Sequence, residues 1–246
     1  MKHFIGIVLL FTVLSFVAAQ DLDLKRGRKV YLDSCSPCHG ITGKGDGIVA
    51  ANLYVKPRDF TLGQYKIKTT IDGDLPLHED LYTTLSKGMG QRNSMLAWAH
   101  LRGDDREAVL AYIKSLYPRF ATDEPPQVIS YPAVVPPMTA KTIRQGKTWY
   151  EGIECGKCHG LSGHGDGPST AALRDEQGHK ITPPDLNKPW LFIGGSTRMD
   201  LFRTIKTGIA GSAMPSLDGI ITDDQIWELV DYLAHEFVQP GEQAPR

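Results

Sequence analysis

One pentapeptide pattern, present twice and holding every cysteine of the chain, constrains this sequence more than any other feature. Cys35-Ser36-Pro37-Cys38-His39 recurs as Cys155-Gly156-Lys157-Cys158-His159, an offset of 120 residues, and the chain has four cysteines. The same offset pairs Gly43, Gly45, Asp46 and Gly47 with Gly163, Gly165, Asp166 and Gly167. It also pairs Asp80-Leu81-Tyr82 with Asp200-Leu201-Phe202, Gly88 with Gly208, and Tyr112 with Tyr232. Pro57-Arg58-Asp59-Phe60 is similar to Pro183-Pro184-Asp185-Leu186 once six inserted residues are allowed. A period this long is far beyond the 20–50 residues of solenoid repeats, so a whole small domain is duplicated. The 246 residues suffice for two such domains. Hydrophobic residues at 41% and charged residues at 22% exclude long disorder. With 27 Lys and Arg against 28 Asp and Glu, no basic excess points to a nucleic-acid partner.

The ends and the middle of the chain divide it further. Lys2 precedes an apolar run over residues 4–18, and Val17-Ala18-Ala19 offers small residues before polar Gln20-Asp21. This is the pattern of a signal peptide cleaved near Ala19/Gln20. An uncleaved anchor is the alternative, but the run is short of the roughly 20 residues a span requires. No cysteine follows the run to carry a lipid. The mature protein is therefore expected to be exported, to the periplasm in a bacterium. Residues 123–138 contain five prolines in sixteen positions, which predicts an extended, semi-rigid linker. The expected layout is a signal peptide (1–20), a first domain (21–122), the linker (123–138) and a second domain (139–246).

Both domains read as helical. Helices are expected over 24–34, 79–88 and 104–117, and again over 139–154, 200–207 and 222–237. Val109, Leu110, Tyr112, Ile113 and Leu116 form a helical apolar stripe. Asp104 with Glu107, and Thr222 with Gln225, have capping-box spacing. Gly88 is expected to cap a helix C-terminus. The Gly-rich stretches 40–47 and 160–167 read as loops, and no alternating strand pattern is evident.

Cys-x-x-Cys-His is the attachment signature of c-type haem. Two thiols on a tight turn can each bond one vinyl group, and the adjacent His39 or His159 can reach the iron. A thioredoxin-like pair would need a βαβ setting, a zinc site two further ligands at suitable spacing, and structural disulfides would leave the repeated histidine unexplained. Cys35, Cys38, Cys155 and Cys158 are therefore expected to attach two covalent haem c groups. Methionine is the sixth ligand that raises the potential of electron-transfer haems. Met95 and Met214 lie 56 and 55 residues after their histidines, each behind a Gly-rich turn. Met89 and Met199 align with Ile209 and Glu79 and do not recur. His100 and Met89 are the rivals near the first haem, while His78, His164, His179 and His235 read as surface or structural residues.

These motifs resemble those of dihaem class I cytochromes c, made of two fused monohaem domains. The resemblance spans nearly the whole mature chain. It implies an all-α fold of two tandem domains, each of about three to five helices around a covalent haem. In that family a glycine and an aromatic one turn later on the first helix pack against the last helix. Gly27/Tyr31 and Gly146/Tyr150 fit, facing Tyr112 and Tyr232. The family often places a proline carbonyl beside the proximal histidine. Pro168 is the candidate in the second domain, whereas the first has Ile48 there.

With histidine and methionine both bound, the iron has no open position, which leaves outer-sphere transfer of single electrons. Leu96, Trp98, Pro215 and Leu217 are expected to line haem pockets or docking surface. The expected function is electron transfer between a redox-protein donor and acceptor, as a free carrier or as a subunit of a periplasmic or membrane-associated oxidoreductase complex, and not catalysis. The alternative is a dihaem enzyme, a peroxidase or sulfur-compound oxidoreductase, with one haem able to open its distal position. Residues 21–122 carry 15 Lys and Arg against 12 Asp and Glu, and residues 123–246 carry 11 against 16. Net charges of +3 and −5 suit two solvated surfaces or two different partners.

Overall fold

The computed structural model describes residues 21–53, 55–89 and 95–238. The expected signal peptide lies outside these residues. The described residues are mostly helical and contain no strand, only isolated bridges such as Thr70 with Val128. Nine α-helices are described: α1 (21–34), α2 (Ser36–His39), α3 (His78–Lys87), α4 (Gly103–Ser115), α5 (Arg119–Thr122), α6 (Ala140–Gly152), α7 (Gly156–His159), α8 (Arg198–Thr207) and α9 (Asp223–Glu236).

The chain packs into two compact units. The first comprises the residues up to Leu53, Pro57–Gly63 and Trp98–Asp123. In it α1 crosses α4, and Gly27 makes the crossing possible. A Cβ on Gly27 would sit 1.9 Å from the Ala108 carbonyl oxygen and 3.1 Å from the Tyr112 Cβ. Tyr31, fully buried, meets the Tyr112 ring at 5.1 Å. Val109, Leu110 and Ile113 are buried, as the apolar stripe predicts. The helix start differs from expectation. Asp104 is not the cap: α4 begins at Gly103 behind Arg102, with no side-chain cap. The Asp104 and Asp105 carboxylates are turned to Arg26 instead, at 2.8 and 2.7 Å.

The second unit comprises Gln64–Ala97 and Glu124–Arg246, with a short piece at 54–56. Its core is built by α6, α8 and α9 around fully buried Tyr150, Phe202, Ile226, Leu229 and Val230. Gly146 repeats the role of Gly27: its Cβ would lie 1.9 Å from the Glu228 carbonyl oxygen. Here the expected cap is present. Gln225 N–H donates to Thr222 Oγ1 at 3.3 Å, and Thr222 N–H to Gln225 Oε1 at 2.8 Å. Thr197 and Asp200 cap α8 in the same way. In α3 the buried Asp80 carboxylate, aligned with Asp200, accepts from the N–H groups of Leu77 and Thr69, each at 3.0 Å. A pair behind Asp231 ties three helices: Arg198 from α8 and Thr142 from α6 both bind this carboxylate of α9, which is 1% exposed.

The proline-rich segment is anchored within the second unit. Ile129 N–H donates to the Thr69 carbonyl at 2.8 Å, and Ile71 N–H to Gln127 at 2.9 Å. Ile129 is 3% exposed, and the Tyr131 ring lies 6.1 Å from Phe202. These contacts explain why 64–97 belongs with the second unit.

Candidate functional site

The two Cys-x-x-Cys-His segments fold alike, each into one short helical turn. Backbone bonds His39 N–H to Cys35 and His159 N–H to Cys155 are both 2.9 Å. The glycine after each histidine adopts positive φ, 79° in Gly40 and in Gly160, a region that costs glycine nothing. A Cβ there would collide with Asp46 or Asp166 at about 2.0 Å or less. The chain then doubles back under the histidine. Gly45 N–H reaches the His39 carbonyl and Gly165 N–H the His159 carbonyl, each at 2.8 Å. Phe60 N–H binds Gly43 at 2.7 Å, and Leu186 N–H binds Gly163 at 2.6 Å. The recurrent Pro57–Phe60 and Pro183–Leu186 motifs thus pair with the Gly-rich loops, a role the sequence flags only by repetition.

The tyrosines do more than pack. Tyr31 Oη donates to the Gly40 carbonyl at 2.7 Å and Tyr150 Oη to Gly160 at 2.6 Å, both buried. Each helix crossing is therefore hydrogen-bonded directly to the residue following a site histidine. Burial raises the phenol pKa of both, so they remain donors at any physiological pH.

The proximal histidines differ in their partners. His39 Nδ1 is 3.0 Å from the Arg58 carbonyl oxygen, and its ring stacks on Phe60 at 4.4 Å with 20° between planes. The buried His159 Nδ1 has no hydrogen-bond partner among the described residues. The candidate Pro168 therefore does not supply a carbonyl to His159, and in the first repeat the acceptor is the Arg58 carbonyl. The acceptor lies 19 residues beyond His39, a separation at which local spacing carries no signal.

The four thiols and two imidazoles suit covalent haem. None of the cysteines forms a disulfide. Burial pushes the Cys35 thiol up to about 12 and Cys155 to about 11, with the neighbouring Cys38 and Cys158 adding to it. Such sites oppose a thiolate, and hence a reactive nucleophile or a thiolate–metal bond. They do not oppose a thioether, which carries no charge. Burial also lowers the pKa of His39 and His159, favouring the neutral imidazole that ligates metal. No cluster of three or more His, Cys, Asp or Glu residues that could hold a bare metal ion occurs among the described residues.

The methionine segments repeat as well. Met89 N–H donates to the Met95 carbonyl at 3.2 Å, and Ile209 N–H to the Met214 carbonyl at 3.1 Å. Gly88 and Gly208 face these same carbonyls, with Cβ positions 2.7 and 3.0 Å away. The two methionines are thus structurally equivalent, whereas Met89 corresponds to Ile209. Met95 belongs to the second unit, and Met214 packs against that unit's core. Residues 90–94, the middle of the first methionine turn, lie outside the described residues. His78, His100, His164 and His235 are exposed, and half-buried His179 pairs with Asp175 at 3.2 Å. Leu96 is exposed, while Trp98 and Leu217 are half-buried.

Comparison with known proteins identifies both repeats. The family model described as cytochrome c matches residues 24–117, and that of subunit III of cbb3-type cytochrome c oxidase matches residues 141–233. A search of the curated proteins finds no match. Among solved structures, a chain of the reducing HAO-like protein complex of Kuenenia stuttgartiensis is similar at a TM-score of 0.80 and 37% identity, over 85% of this chain and 94% of that one. Two tandem domains of this kind imply two covalently bound haem c groups, and the chain belongs to the cytochrome c family as a dihaem member.

Proposed function

We propose that the protein is an exported electron-transfer cytochrome in which His39 and Met95 would hold one haem iron, and His159 and Met214 the other. Cys35 and Cys38 would attach one haem, Cys155 and Cys158 the other. Each haem supplies a one-electron ferric/ferrous couple when bound. The residues of the chain would hold the group through the two thioethers and keep the histidine and methionine ligands in place in both states. The observation that carries this reading is the repeated methionine turn, with the same backbone bond to Met95 and to Met214 behind Gly88 and Gly208. Methionine ligands in both halves would leave neither iron open to substrate, so the chemistry the haems supply would be outer-sphere exchange of single electrons.

The similar chain from Kuenenia stuttgartiensis belongs to a complex of two proteins. This supports the reading that the present chain exchanges electrons with a protein partner. The deciding measurement is the ferric optical spectrum in the red, where iron bound to methionine sulfur has a weak charge-transfer band. Intensity for two such centres without a high-spin feature is expected. One methionine-ligated centre beside a high-spin centre would refute the reading and bring forward a dihaem enzyme. Export predicts a mature N-terminus at Gln20, and N-terminal sequencing that finds Met1 retained would reject cleavage.

A further inference from the structure

The turn that carries Met214 runs from Gly208, which caps α8, to Thr222, which caps α9. Its first part is closed by short-range bonds. Ile209 N–H donates to the Met214 carbonyl at 3.1 Å, and Met214 N–H to Ser212 Oγ at 3.2 Å. Its later part returns to the last turn of α8. Leu217 N–H donates to the Ile205 carbonyl at 3.1 Å, and Ser216 Oγ and Asp218 N–H donate to the Lys206 carbonyl at 2.6 and 3.3 Å. These are bonds between neutral groups, for which water competes.

The Lys206 side chain adds a charged closure. It is buried, and its Nζ reaches Asp218 Oδ1 in the turn at 3.2 Å and Asp223 Oδ1 in the first turn of α9. The ammonium also lies 5.8 Å from the centre of the Phe202 ring. One side chain thereby joins the end of α8, the Met214 turn and the start of α9. A buried charge is costly unless it is paired, so the turn cannot lift without parting Asp218 from an ammonium that stays buried. The first repeat builds its helices without these groups. Ser86 and Gly103 align with Lys206 and Asp223, and Ala99, counted from the methionine, with Asp218. The three charges are therefore not a requirement of the shared fold.

We propose that Lys206 is a positioning residue for the second-repeat methionine: its bond to Asp218, anchored on Asp223, holds the Met214 turn closed and so keeps external ligands from the second-repeat centre. The inference rests on the proposed role of Met214 as an iron ligand. A small molecule that competes with a methionine needs the turn open, so its apparent affinity is its intrinsic affinity scaled by the open fraction. Loss of the clasp raises that fraction. Removing the ammonium leaves Asp218 and Asp223 to water, since their side chains are 36% and 45% exposed. A methionine at 206 keeps an apolar stem against Phe202, so Lys206→Met removes the charge and spares the packing.

The test is imidazole titration of the full ferric dihaem protein, followed by loss of the red charge-transfer band, with haem-methyl NMR signals assigning each step to its repeat. Lys206→Met is expected to lower the imidazole concentration that displaces the second-repeat methionine by about tenfold, the low end of what a hydrogen bond to a charged group is worth. Asp218→Asn is expected to move that step the same way by less, and the first-repeat step is expected to stay where it is in both variants. A lysine that only ties α8 to α9 would lower the melting temperature in Lys206→Met and in Asp223→Asn and leave imidazole binding unchanged, and that result would overturn the proposal. Asp218→Asn alters an exposed side chain, so it decides alone if Lys206→Met does not fold. A wild-type protein without charge-transfer intensity at the second-repeat centre would instead refute Met214 as a ligand, and the titration shows this before any imidazole is added.

Discussion

Gly146→Ala tests the helix crossing that both repeats share. The new Cβ would lie 1.9 Å from the Glu228 carbonyl oxygen and 2.7 Å from the Tyr232 Cβ. The obstacle is backbone, so no rotamer change relieves it, and α6 must move by more than 1 Å against a close-packed core. Overpacking of this kind costs about 1–3 kcal/mol, and a backbone obstacle places it at the upper end. The movement also stretches the Tyr150 hydroxyl away from Gly160, a 2.6 Å bond worth about 1 kcal/mol. Alanine returns about 1 kcal/mol through helix propensity. The net loss is about 3 kcal/mol, or about 6–12 °C in melting temperature for a unit of this size. Gly152→Ala is the control, since nothing lies within 4 Å of its Cβ position. The assay is thermal melting of the haem-loaded protein, followed by circular dichroism and by the Soret band. If Gly146→Ala melts with the control, the crossing is not held by glycine and the reasoning fails.

Four further outcomes are expected. Met214→Ala should keep the second haem attached, remove half of the red charge-transfer intensity and admit carbon monoxide, and an unchanged spectrum would reject Met214 as a ligand. Tyr150→Phe should cost about 1–3 kcal/mol by leaving the buried Gly160 carbonyl unsatisfied, measurable as a lower denaturation midpoint; an unchanged midpoint would show that the bond is dispensable. Asp231→Asn should destabilise the second half by several kcal/mol, because Arg198 loses the charge of a carboxylate that is 1% exposed, and a melt equal to wild type would refute this. Burial alone would raise the pKa of Asp185, but hydrogen bonds from Lys188 and Asn187 hold it down to about 2. The stabilisation is present above the ordinary carboxylate range and is lost as pH falls from about 4 to about 2. Asp185→Asn should therefore flatten the acid limb of the stability profile, and an identical limb would assign the transition elsewhere.

Much of the site is written locally. The cysteines, histidines and Gly-rich loops recur at one offset, with the methionines one residue short of it, and covalent attachment needs only a few adjacent residues. The six longer helices lie within a few residues of the positions given by apolar periodicity and caps, because those signals act over one or two turns, whereas the one-turn helices α2, α5 and α7 are too short to leave a periodic pattern. Asp104 shows where local spacing fails: the same carboxylate suits a helix cap or an ion pair, and Arg26, 78 residues away, takes it. The linker shows the same limit, since proline content describes its stiffness but not the bonds that Gln127 and Ile129 make to residues 69–71.

By itself, the sequence determined that two copies of one helical domain carry two covalent haem sites, since spacing, periodicity and covalent chemistry are properties of neighbouring residues. The tertiary structure decided what surrounds each histidine. Arg58 and Phe60 act on His39 through a carbonyl and a ring brought back from 19 and 21 residues downstream. A backbone carbonyl belongs to every residue type, so its direction leaves no mark in the sequence until the loop is folded.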